Sequence, residues 1–257
     1  MEIGAREDRG TAGWARRPRR LVDTILLYLV FAWFAAVTLV WTVLALAARL
    51  VLPAAWRDRI GTPLVMLSAR TFLLGMWATG RVHFDLKALD ELREAGPLII
   101  APNHPSLIDA VLIVSRLPDV VCITKAGVFD NVFFGCGMRL AGYVRNDPPL
   151  RTVKEARARL RDGKQLLVFP EGTRTMRQPV GPLKPGLALM ARQAAVPVQT
   201  IFIETSCDFL AKGRPLFVLP PLPLVYRIRL GRRFPPEHDI KALTAELEAY
   251  FLAELQP

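Results

Sequence analysis

Chemistry in this chain starts with one histidine and one aspartate, five residues apart in Asn103-His104-Pro105-Ser106-Leu107-Ile108-Asp109. On one continuous helix those side chains would diverge by roughly 140° at 3.6 residues per turn, too far to meet. A turn brings them together. The preceding run Pro97-Leu98-Ile99-Ile100-Ala101-Pro102 is short, aliphatic and closed by prolines, so it reads as a buried strand. Ser106 and Asp109 stand at capping-box spacing, and Leu107, Ile108, Val111, Leu112 and Val114 continue at helical intervals. His104 is thus placed between a strand's carboxyl end and a helix's amino end, the crevice where open α/β sheets hold their ligands. There a carboxylate at Asp109 can reach back to one ring nitrogen and leave the other free to take a proton. The plainer alternative is a capping aspartate beside a loop histidine.

A second stretch has chemistry of another kind. Lys164-Gln165-Leu166-Leu167-Val168-Phe169 is a further buried-strand pattern, and it runs into Pro170-Glu171-Gly172-Thr173-Arg174-Thr175. A glycine beside a hydroxyl and a guanidinium offers uncovered backbone N–H groups and a two-pronged fork, which suits a phosphate.

The two stretches together resemble the N-H-x-x-x-x-D and F-P-E-G-T-R motifs of the glycerolipid acyltransferase family, which includes the 1-acyl-sn-glycerol-3-phosphate acyltransferases. Order and separation match, over roughly Gly80 to Leu230. Lys125 and Gly142-Tyr143-Val144-Arg145 resemble the basic block between the motifs, and Val196-Pro197-Val198 the start of a fourth block. Gln199 and Thr200 then stand where the family usually has Val and a second Pro, a departure that bears on the acceptor pocket more than on the chemistry. The resemblance implies a fatty acyl transfer from acyl-CoA or acyl carrier protein to the hydroxyl of a lysophospholipid, with no cofactor besides that co-substrate. His104 would be the general base, Asp109 its orienting carboxylate. Gly172, Thr173 and Arg174, with Arg145 and Lys125, would hold the acceptor's phosphate, and Glu171 is carried over with its role open. Other lysolipids or glycerol 3-phosphate are alternative acceptors. No G-x-S-x-G elbow is present, so a serine acyl-enzyme is not indicated. A membrane-anchored lipid hydrolase and a non-catalytic basic adaptor are the rival classes.

The elements that must position these residues alternate. Val120 to Thr124 reads as a strand delivering Lys125, Arg151 to Arg161 as a helix with Gly163 just past its end, Lys184 to Ala195 as a helix, and Pro197 to Glu204 as a strand. Val82 to Asp85 is an edge strand carrying a surface His83, and Leu86 to Ala95 a short helix. Tyr226 to Leu230 and Asp239 to Leu255 give a last strand and helix. This pattern predicts an α/β fold with a mixed, largely parallel sheet flanked by helices. Phe129 to Met138, rich in Phe and Gly, is a candidate acyl-chain lining or membrane-dipping stretch, with ordinary core aromatics as the alternative.

A mostly apolar chain, 52% hydrophobic, with a formal charge of +11 is unusual for a plain cytosolic enzyme. Basic residues here are not interleaved with aromatics, and no nucleic-acid-binding motif occurs, so an anionic membrane surface is the expected partner. Residues 1–20 form a basic segment, and 21–79 an anchor with an uncharged helix over 25–48, transmembrane or re-entrant, and a second apolar helix over 64–78 broken by Arg70. Residues 80–257 are the acyltransferase domain, expected on the cytoplasmic face, the inner membrane if bacterial. Cys122, Cys136 and Cys207 show no metal or disulfide spacing, which fits a reducing compartment.

Overall fold

The structure is a computed structural model that describes residues 11–176 and 179–256, so the first half of the expected basic segment lies outside the described residues. Seven strands form one sheet in the order β1-β7-β6-β2-β5-β3-β4. They are β1 (Val82–Asp85), β2 (Ile99–Pro102), β3 (Val120–Thr124), β4 (Val144–Arg145), β5 (Gln165–Leu167), β6 (Val198–Thr205) and β7 (Leu224–Phe234). Five neighbours, from β6 to β4, run parallel; β7 opposes β6 and pairs in parallel with β1. The carboxyl ends of β2, β3, β4 and β5 therefore share one edge; His104 and Asp109 follow β2, Lys125 follows β3, and Glu171 to Arg174 follow β5.

Both sheet faces are covered, so the inner strands read as unbroken apolar runs. Successive residues divide between the two sides: Ile100 packs with α2 (Ala54–Ala78) and α3 (Asp109–Val114), whereas Ile99 and Ala101 pack with α6 (Pro149–Arg161), α7 (Gly186–Ala194) and α8 (Ile240–Glu254). The helix ends follow their residues. Gly163 takes φ +82 beyond α6, and the Asp239 side chain accepts from Lys241 N and Ala242 N to cap α8. The short helix expected from Leu86 is a 3₁₀ turn pair, Lys87–Leu92.

Two long helices precede the sheet. In α1 (Thr11–Val51) the stretch Arg19–Val51 has a mean hydropathy of 2.3, and in α2 the stretch Trp56–Ala78 one of 1.2; each is long and apolar enough to cross a membrane. The second helix corrects the expected 64–78, because α2 starts ten residues earlier. Its charged first turns have work to do. Arg57 donates to the carbonyls of Arg49 (2.9 Å) and Leu52 (3.1 Å), which closes the end of α1, and Asp58 pairs with Arg159 of α6. Arg70 does not interrupt a lipid-facing surface; its Nε donates to the Ser115 carbonyl at 2.7 Å. The helices form a hairpin closed by Leu52 and Pro53, and Gly75 is needed there: a Cβ would come within 2.1 Å of the Trp33 indole, whose N–H donates to Thr71 O. Leu27, Phe72, Leu73 and Met76 belong to the same buried cluster as Ile100 and Tyr226 of the sheet. One face of α1, including Leu21, Ile25, Leu29, Val40 and Leu44, has no protein against it.

Candidate active site

At the end of β2 the chain is pinned before it turns. Asn103 donates through Nδ2 to Ile203 O (3.1 Å) and accepts from Ile203 N (2.7 Å), so its amide replaces a missing ladder rung to β6. His104 follows, with its side chain 16% exposed, and its Nδ1 lies 2.8 Å from Asp109 Oδ2. The same oxygen accepts from Ser106 N at 2.7 Å. Only half of the expected capping box exists, because the Ser106 hydroxyl donates to Phe209 O (3.1 Å) and not to the helix. With its proton on Nδ1 shared with the carboxylate, the imidazole presents a free lone pair at Nε2.

Asp109 is fully buried. Desolvation by that burial pushes its carboxyl above the usual carboxylate range, while the His104 contact, the Ser106 N–H and the charge of Arg174 act in the opposite direction. The group is held between those forces, ready to compensate charge on the ring.

The second motif reaches the first in two ways. Phe169 stacks on the imidazole with ring centroids 3.8 Å apart and planes 20° from parallel, and Thr175 N donates to the His104 carbonyl at 2.8 Å. Between these contacts the chain turns through Gly172, at φ +66, whose N–H bonds back to Phe169 O. Glu171 faces inward: its carboxylate accepts from Thr175 Oγ1 (2.7 Å) and Gly181 N (2.8 Å), so it shapes the loop from beneath. Arg174 donates to the carbonyl of Leu210 (2.8 Å), which also receives Leu107 N.

Two cations that motif reading missed stand at the same loop. Lys184 lies over Gly172 so closely that a Cβ there would sit 2.8 Å from its Nζ. Lys212 Nζ reaches Thr173 Oγ1 at 3.2 Å. Burial lowers the Lys125 ammonium, and Lys212, Lys184 and Arg174 lower it further, which puts all four charges in one field. Among the described residues none of the four is ion-paired to a carboxylate, although ten other arginines and lysines are. Arg145 is different. It is bound to Asp130 on one side and Asp147 on the other, and that pairing holds Asp130 below its usual range. Its charge is spent, so it does not join the cluster.

Behind α3 lies an apolar chamber of about 180 Å³, lined by Phe34, Trp41 and Phe72 of the hairpin, Val111, and Phe134 and Met138 of α5 (Val132–Leu140). The Phe129 to Met138 stretch thus divides. Phe134 and Met138 look into the chamber, while Val132 and Phe133 face outward. Gln199 and Thr200 lie away from the motifs: they bond to the β7 backbone at Gly231 O (2.7 Å) and Arg232 O (2.8 Å), where the β6–β7 register shifts. The departure from the family pattern at those residues coincides with this bulge. Cys122 is buried against the chamber, and burial pushes its thiol up to about 12, so it is no nucleophile.

Comparison with known proteins rests on the same region. The family model described as Acyltransferase matches residues 83–204, from the first strand through both motifs to β6. The matched stretch carries both motifs, and the chain is similar there to glycerolipid acyltransferases. It is similar to a chloroplastic 1-acyl-sn-glycerol-3-phosphate acyltransferase of Brassica napus, 29% identical over 60% of this chain and 49% of that one. It is also similar to the 1-acyl-sn-glycerol-3-phosphate acyltransferase alpha of Mus musculus, 27% identical over 54% of this chain and 51% of that one. The chain spans about half the length of these curated relatives. The crystal structure of the 1-acyl-sn-glycerophosphate acyltransferase PlsC from Thermotoga maritima shares the fold, with a TM-score of 0.69 at 19% identity over 93% of this chain and 96% of that one. The likeness in fold takes in the helical hairpin as well as the sheet.

Proposed function

We propose that this protein is a membrane-bound O-acyltransferase that acylates the free hydroxyl of 1-acyl-sn-glycerol 3-phosphate, with acyl-CoA or acyl carrier protein as donor. One observation carries the reading: a His–Asp pair with a free Nε2 stands beside four cations that have no carboxylate partner. Nε2 of His104 removes the acceptor's hydroxyl proton as the oxygen attacks the thioester carbonyl. The carbon–sulfur bond then breaks, and the proton passes to the departing thiolate. Asp109 orients the ring and offsets its positive charge while the proton is held.

Lys125, Arg174, Lys184 and Lys212 suit a phosphomonoester, which carries close to two negative charges, better than a zwitterionic headgroup whose amine they would repel. The chamber behind α3 suits an acyl chain. The apolar face of α1, together with exposed Leu107, Val132 and Phe133, supports a site at the bilayer edge. We place that edge on the cytoplasmic leaflet, where both donors are found. The deciding experiment incubates purified protein in vesicles with labelled acyl-CoA or acyl carrier protein and a panel of lysolipids, and reads the products by mass. Acylated phosphomonoester is the expected product. Free fatty acid alone would mean a hydrolase, and no product from any member of the panel would remove the assignment.

The missed lysines provide a sharper check. Lys212→Gln and Lys184→Gln should each raise KM for a phosphomonoester acceptor about tenfold, with kcat nearly unchanged, since each loses one unpaired charge from a partly desolvated cluster. Initial rates against acceptor concentration measure this. An unaltered KM in both variants would move phosphate recognition away from the Gly172 loop.

A further inference from the structure

Asp109 uses only one of its two oxygens. Oδ2 takes both His104 Nδ1 and Ser106 N, while Oδ1, equally buried, has no hydrogen-bond partner among the described residues. A second orphan lies nearby. Tyr226 is fully buried on β7, stacked on Phe84 with centroids 5.9 Å apart, and its hydroxyl also has no partner. Its register places it opposite Thr205 of β6. The Ser106 and Thr205 hydroxyls lie within hydrogen-bonding approach of the phenol but outside bonding geometry, their own protons going to Phe209 O and Cys207 O, and the charge of Asp109 acts on it as well.

A bare acceptor on a carboxylate and a bare phenolic donor are each costly when buried, and they are complementary. Buried tyrosines ordinarily find a partner for the hydroxyl. Packing against Phe84 needs only the ring, so a phenylalanine would fill the strand position as well. We infer that the Tyr226 hydroxyl donates to Asp109 Oδ1, directly or through one enclosed water, and so acts as a positioning residue for the His104–Asp109 pair. The inference rests on the proposed role of His104 as base. Its chemical content is a third donor to the carboxylate, which favours the ionised form that the base needs behind it.

The groups facing Asp109 are His104 from the turn after β2, Arg174 from the loop after β5 and Tyr226 from β7, with Cys207 from the segment after β6 beside the phenol. Removing the phenolic donor leaves the carboxylate more basic. Whichever member of the pair then holds the extra proton, the protonated and inactive form persists to higher pH. Tyr226→Phe should therefore lower kcat about tenfold, leave KM for both substrates unchanged, and move the acid limb of the pH–rate profile upward. Replacing Tyr226 with 3-fluorotyrosine keeps the shape, strengthens the donor and should move that limb downward, which tests the idea even if the phenylalanine variant folds poorly. An unmoved acid limb in both variants would overturn it, as would a loss of activity in Tyr226→Phe that tracks a lower melting temperature with the limb in place. A His104→Ala control separates the two readings. If that control is inactive while both Tyr226 variants are silent, only the positioning role fails; if it retains activity, the base itself is misassigned.

Discussion

His104→Ala is expected to abolish acyl transfer nearly completely, with turnover lowered about 10² to 10⁴-fold, the range typical for a general base. Among the described residues His104 is the one histidine at this edge of the sheet, and the nitrogen groups beside it, Lys125, Arg174, Lys184 and Lys212, are cations. Removing the imidazole opens little buried space, because the ring is partly exposed and Phe169 is free to settle. Circular dichroism and vesicle binding should therefore match the parent protein. The measurement is product formation under saturating donor and acceptor. Turnover within tenfold of the parent would show that the hydroxyl is activated by some other group.

Asp109→Asn should cost nearly as much, about 10³-fold in kcat, and for a different reason. The carboxylate oxygen Oδ2 accepts two hydrogen bonds at once, from His104 Nδ1 and Ser106 N. An amide there either keeps its oxygen toward the ring and Ser106 N, with no charge left to offset the imidazolium that forms, or turns its NH₂ toward both, donor against donor at Ser106 N. In the second case Nδ1 becomes the acceptor, the ring proton moves to Nε2, and the lone pair that should receive the substrate's proton is gone. A D109N variant with near-normal kcat would remove the orienting role. The same residue sets a stability trend. Burial raises the folded-state pKa of Asp109, so between its ordinary value and the raised one the folded chain binds the proton that the unfolded chain has released. Its contribution to stability is thus present at low pH and declines as pH rises through that window. D109N lacks this titration, so its melting temperature relative to the parent should improve as pH rises from about 4; a difference that stays flat with pH would contradict the desolvated carboxylate.

Much of this could be read in the residues before any coordinates. Ile99, Ile100, Leu166 and Leu167 sit between two covered faces, so their runs have no alternation to confuse and the strands are plain. The turn geometry of His104 and Asp109 followed from the impossibility of their meeting on a helix. What could not be read depends on partners remote in sequence. Lys184 and Lys212 look like ordinary surface lysines until the chain folds them over Gly172 and onto Thr173. Arg145 looks as available as Arg174 until Asp130 and Asp147 are seen on either side of it. The beginning of α2 was hidden by Arg57, Asp58 and Arg59, whose charges signal a loop in sequence; in space Arg57 binds carbonyls at the end of α1 and Asp58 pairs with α6. Glu171 has an open role by position alone, and its two hydrogen bonds show a loop support.

The shared cluster of Leu27, Phe72 and Met76 with Ile100 and Tyr226 has a practical consequence. Trimming the gene at Gly80 to obtain a water-loving fragment would peel the hairpin off the sheet and lay bare the greasy flank beneath it. Such a fragment should clump during production, and detergent chosen to coat the hairpin becomes part of keeping the catalytic half intact. For this chain, hairpin and sheet are one unit of folding.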